Sequence, residues 1–199
     1  MRVSITKSIR GSLCAGVLTG AVALTLALAP AVAKQPEKTR ITETEVNAAQ
    51  KAWCDALVKI GRVHDEGGDY KAVASHAIDA LYDYKDGRVF FKPTLTSGRN
   101  TFRPTKAGAL SYFVGGNPGF PEDTGFALKP WIRCVAENNA APNGIQIHGN
   151  IAITMGNVSL TSKDEKIATV DKSFVFRRGS DGRLRLCVHH SSVPFEPGK

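Results

Sequence analysis

From residue 42 to residue 114 the apolar side chains recur at steps of three and four. Val46, Ala49, Trp53, Ala56, Leu57 and Ile60 share one helical face. Thr42 and Glu45 stand at capping-box spacing ahead of that face, and Gly61 and then Gly67-Gly68 punctuate the chain after it. Asp69 is placed to cap a second helix carrying Ala72, Val73, His76, Ala77, Ala80 and Leu81. Gly87 closes a turn before a short strand over 88–94, and residues 97–101 read as loop. Thr105 caps a short helix over 106–114 that Gly115-Gly116 stops.

Beyond that point the period changes. Residues 126–137, 145–161, 168–178 and 183–193 are rich in β-branched and aromatic side chains and read as strands. Residues 138–144 and Ser180-Asp181-Gly182 read as hairpin turns, the second on its Asp-Gly pair. Helices followed by an antiparallel meander predict an α+β domain whose curved antiparallel sheet wraps the N-terminal helices. Such a cone closed at one end leaves a pocket suited to a small ligand.

The chain before residue 42 has a different character. Arg2, Lys7 and Arg10 precede an apolar run over 11–29, Pro30 breaks it, and Ala31-Val32-Ala33 offers a small-x-small cleavage pattern. Residues 1–33 therefore read as a signal peptide, 34–41 as a flexible leader, and 42–199 as one exported domain, periplasmic or secreted and free of the membrane after cleavage. The chain has 199 residues, 42% of them hydrophobic, enough for one core. Its net charge is +8; cleavage removes three cations and no acid, leaving +5, and no element carries a dense basic stripe. Nucleic-acid binding is not expected. Cys54, Cys134 and Cys187 form no C-x-x-C pair and read as small buried hydrophobes, although export permits a disulfide.

The last strand carries the candidate chemistry. Leu184, Leu186 and Val188 alternate with Arg183, Arg185 and Cys187, so the leucine face points inward. Extending that parity puts His190 and Ser192 inside and His189 and Ser191 outside, with Ser191 the alternative. Adjacent strand histidines diverge, and His64, His76 and His148 are scattered, so no metal set is evident. No G-x-S-x-G elbow, P-loop or G-x-G-x-x-G is present.

Four segments together carry a resemblance: Phe91-Lys92-Pro93-Thr94, residues 108–116 (GALSYFVGG), residues 125–131 (GFALKPW) and His189-His190-Ser191-Ser192-Val193-Pro194. In this order they are similar to the iota class of carbonic anhydrases. That resemblance implies the cone fold shared with nuclear transport factor 2 (NTF2-like) and reversible hydration of carbon dioxide to bicarbonate. It also implies a site of Thr94, Tyr112 and Ser192, with His190 beside them as proton shuttle. Family members have been described as metal-free and as metal-dependent; strand parity favours no metal, with zinc or manganese the alternative. A homodimer is expected, through an outer sheet face bearing Val135, Trp131 and Val175. The alternative function is a non-catalytic exported module that binds a small ligand or dimerises.

Overall fold

The computed structural model describes residues 40–142 and 144–198. The expected signal peptide lies outside the described residues, as does most of the leader. Three helices, α1 (Glu43–Asp65), α2 (Tyr70–Leu81) and α3 (Lys106–Val114), pack against one sheet of β1 (Phe90–Lys92), β2 (Trp131–Glu137), β3 (Ile145–His148), β4 (Ile151–Ser162), β5 (Ile167–Arg178) and β6 (Leu184–Ser192). The strand order is β1-β6-β5-β4-β2, and β3 also pairs with β4. This is the expected α+β arrangement of helices against a sheet. It differs at one edge, where β1 runs parallel to β6 while every other pair is antiparallel.

The helix starts follow from local chemistry. Thr42 accepts from the Glu45 amide while the Glu45 carboxylate accepts from the Thr42 amide, a reciprocal capping box. Ile41, placed in the leader by sequence, is buried with Val46, so the residues flanking the cap staple the helix to the core. Asp69 and Thr105 cap α2 and α3 as expected. Gly61 does not end α1. A Cβ there would lie 2.7 Å from the Ala127 carbonyl oxygen, so glycine lets the helix touch the turn Phe126–Leu128 and run on to Asp65.

Four expected strands or turns are revised. Residues 126–128 form a 3₁₀ turn, and β2 begins only after Pro130, which has no amide hydrogen to give a ladder. Only Phe90–Lys92 of the 88–94 segment pairs, ending at Pro93. Residues 138–144 are no hairpin. Both β2 and β3 run antiparallel along the same edge of β4, so this segment is an excursion within one interrupted edge strand. The hairpin falls instead within 145–161, where His148 pairs with Ile151 across Gly149-Asn150 and Gly149 takes φ 61.

Two irregularities reset which residues face inward. Between Trp131 and Arg133 the β2 register shifts, which turns Trp131 toward Phe126 and leaves Ile132 exposed, the reverse of the sequence parity. On β6, Val188 pairs with Val175 but Leu186 pairs with Phe176, so Cys187 is an extra residue. A disulfide joins Cys54 on α1 to Cys134 on β2, correcting the view of these two as unpaired thiols; Cys187 remains free.

Candidate active site

The cone interior beside β1 and β6 is where polar side chains concentrate. The β6 bulge at Cys187 turns His189 and Ser191 inward, where both are fully buried, while His190 is exposed and Ser192 half-buried. The parity expectation for His190 and Ser192 is therefore off by one residue. Alternation was extended through a bulge that no turn residue marks, and one inserted residue reverses every later side chain. Of the other two expected residues, Thr94 lies just after β1 and Tyr112 on α3, and both are buried.

Thr94 Oγ1 and Ser191 Oγ meet at 2.6 Å. Parallel pairing of β1 with β6 brings this contact about, since Lys92 lies opposite His190 and the chain then turns in at Pro93-Thr94. Lys92 Nζ donates to the Ser191 carbonyl at 2.8 Å, fixing a cation at the edge of the cluster. Tyr112 is held by its ring, stacked on Phe126 at 5.4 Å and edge-on to Phe91 at 5.8 Å. Burial pushes its phenol pKa up to about 12, against the easing influence of Thr94 and the Leu95 backbone nearby. Among the described residues its hydroxyl makes no hydrogen bond of good geometry, so a buried donor lies beside Thr94.

A second set of polar groups adjoins this cluster, and sequence reasoning missed all of it except His189. Trp53 Nε1 donates to Tyr82 Oη at 3.0 Å, Tyr82 Oη lies 2.7 Å from His189 Nδ1, and His189 Nε2 lies 3.1 Å from Lys172 Nζ. His189 stacks on Phe91 at 4.5 Å and meets Phe174 edge-on at 4.8 Å. Burial above all, with Lys172 and His190 as neighbours, holds its pKa well below the usual imidazole value. Lys172 alternates inward with Val170 and Phe174 on β5, so its inward position follows the strand period, against the general tendency of lysine to lie at the surface.

These contacts bear on a metal. Both ring nitrogens of His189 are occupied by Tyr82 and Lys172, and His190 points to the other face of the sheet. Among the described residues no three His, Cys, Asp or Glu side chains converge. The donor set is one of hydroxyls, an amine and a phenol, which suits an oxyanion better than a cation.

Comparison with known proteins decides the family. Residues 44–193 match the family model described as metal-independent carbonic anhydrase. The chain belongs to that family. A metal-independent carbonic anhydrase of Nostoc sp. (strain PCC 7120 / SAG 25.82 / UTEX 2576) is 53% identical over 158 residues, covering 78% of this chain and 75% of the relative. The crystal structure of an iota-carbonic anhydrase from a cyanobacterium, complexed with bicarbonate, superposes with a TM-score of 0.76 at 51% identity, covering 79% of this chain and 95% of that one. An NTF2-like superfamily protein from Salmonella enterica aligns more loosely, with a TM-score of 0.48 at 14% identity over 78% of this chain and 93% of the other. The family match agrees with the sequence resemblance, and the metal-free reading agrees with the family description.

Proposed function

We propose that this carbonic anhydrase hydrates carbon dioxide reversibly to bicarbonate, without metal, at the Thr94, Tyr112 and Ser191 hydroxyls. One observation carries the placement. The Thr94–Ser191 hydroxyl contact at 2.6 Å lies beside Tyr112, whose hydroxyl has no well-formed hydrogen bond among the described residues, inside a wall of Phe91, Phe113 and Phe126. Carbon dioxide is apolar and suits the aromatic wall. Its product is an anion and suits hydroxyl donors in a buried, weakly screening site. Thr94 and Ser191 are placed to orient the attacking water, and Tyr112 to donate to the oxygen that gains charge. Lys92, tethered to the Ser191 carbonyl, adds a fixed positive charge favourable to bicarbonate.

Export and dimerisation belong to the same proposal. The signal-like residues 1–33 and the Cys54–Cys134 disulfide both suit an oxidising compartment. On the outer sheet face Ile153, Val175, Val188 and Phe90 lie in register across four strands, an apolar row that a second copy of the chain would cover.

The test is stopped-flow carbon dioxide hydration by the protein lacking residues 1–33, before and after exhaustive chelation. The expected result is catalysis that chelation leaves intact. Absence of any acceleration over buffer would sink the proposal, and loss on chelation with recovery on zinc or manganese would reverse the metal-free part.

A further inference from the structure

Hydration without a metal needs a group to take the proton of the attacking water. None of the three hydroxyls is suited to this, since a buried phenol and two alcohols all hold their protons near neutral pH. We infer that Lys172, held as an uncharged amine by the Trp53–Tyr82–His189 hydrogen-bond chain, is the base that takes that proton. The inference rests on the carbonic anhydrase reading and deepens it.

The direction of the chain sets the charge of the lysine. An indole nitrogen can only donate, so Tyr82 Oη accepts from Trp53. The Tyr82 hydrogen then has one described acceptor, His189 Nδ1 at 2.7 Å. With Nδ1 accepting, the neutral imidazole carries its hydrogen on Nε2 and donates it to Lys172 Nζ at 3.1 Å. An amine that accepts is an amine with its lone pair free. A Lys172 ammonium would reverse the order: Nε2 would accept, Nδ1–H would point at Tyr82 Oη, and the Tyr82 hydrogen would be left buried without an acceptor.

The surroundings agree. Lys172 is buried and forms no ion pair among the described residues. Its titratable or charged neighbours are His189 on β6, Lys92 on β1 and, through His189, Tyr82 beyond α2; β4 presents Gly156, and α1 presents Trp53, whose ring 4.9 Å from Nζ favours the ammonium and is outweighed by burial and the Lys92 charge. Burial and the Lys92 charge bring the Lys172 pKa down to about 7. The lysine is also placed for the reaction, because Lys172 pairs directly with Ser191 across β5 and β6 and both side chains face inward.

The step balances without a co-reactant. The Nζ lone pair takes one hydrogen of the water, and the pair of the broken O–H bond forms the new C–O bond. One C=O π pair moves onto oxygen, giving bicarbonate and a Lys172 ammonium. The ammonium then gives its proton to solvent, which returns the free amine.

The test compares folded Lys172→Met, Lys172→Arg, Lys172→Ala, Tyr82→Phe and Thr94→Ala proteins by stopped flow from pH 5.5 to 9. The wild-type rate is expected to rise with pH through a single ionisation near neutrality. Lys172→Met and Lys172→Arg should lose roughly a hundredfold or more in kcat, and small free amines should restore Lys172→Ala in proportion to their unprotonated concentration. Tyr82→Phe should keep its activity at high pH while the rising limb moves upward, because an ammonium would no longer strand the phenol hydrogen. Wild-type rates in Lys172→Met, or a carbamate carbonyl on Lys172 under carbon-13 dioxide, would overturn the inference. If Lys172→Met alone stays active and Thr94→Ala does not, only the base is wrong; if both stay active, the site itself is wrong.

Discussion

Leu186 and His189 face the same interior although they stand three positions apart on one strand. Strict alternation would put them on opposite faces. The unpaired Cys187 between them absorbs the difference, its thiol donating to the Val175 carbonyl at 3.4 Å. Everything chemical on β6 depends on that one extra residue.

The serine pair tests this directly. Ser191→Ala removes the hydroxyl in contact with Thr94 and should slow hydration about a hundredfold to a thousandfold, with Thr94→Ala comparable. Ser192→Ala, on the outer face, should change the rate little. The same rank order is expected for His189→Ala against His190→Ala, and stopped-flow rates of the four folded variants decide it.

How much of this was legible in the sequence follows from which signals are local. The caps Thr42, Asp69 and Thr105 announce themselves within four residues, and all three helices begin where those caps stand. Thr94 and Tyr112 were reached through segment resemblance and sit together in the fold. What failed was parity across bulges. Neither Ile132 nor Cys187 is a glycine or proline, so nothing at those positions signals an inserted residue, and Trp131, Ser192 and His190 were each assigned to the wrong face. Lys172 was overlooked because its role depends on partners 119, 90 and 17 residues away, at Trp53, Tyr82 and His189.

Lys172 should also tilt stability with pH. In the folded protein it releases its proton near pH 7, whereas an unfolded lysine keeps one to about 10.4. Between those values the unfolded chain binds the extra proton, so stability rises with pH by up to roughly 1.4 kcal/mol per unit. The buried His189 acts in the same sense below pH 6.5, where unfolded imidazole protonates and the folded ring resists. Urea titrations at pH 7, 8 and 9 should show the rise in the wild type and a flatter dependence in Lys172→Met.

The disulfide ties the first helix to the edge strand across a sequence separation of 80 residues. Replacing Cys54 and Cys134 together by alanine should cost about 2–4 kcal/mol, read as a lower denaturant midpoint. Hydration by the folded remainder should persist, since neither sulfur touches Thr94, Ser191 or Lys172. An unchanged midpoint would mean that the bond does not form in the purified protein.

The proposed dimerisation through the outer face makes a sharp demand on its central row. Val175 and Val188 lie opposite each other between Ile153 and Phe90, which is 67% exposed. Val175→Glu should convert the dimer to monomer in sedimentation or light scattering while leaving the helix content unchanged. A monomeric wild type at micromolar concentration would refute the interface.

The bulge at Cys187 also divides the labour of the motif that follows it. His189-His190-Ser191-Ser192 repeats each letter twice, and the pleat deals one copy of each to the interior and the other to the outer face. Four consecutive positions thus answer to two unrelated filters, the proposed site for His189 and Ser191, and surface fit for His190 and Ser192. Among relatives that keep the bulge, the inner pair should hold its identity while the outer pair drifts with the partner surface. A relative that loses the extra residue would have to exchange the roles of the two pairs to remain an enzyme.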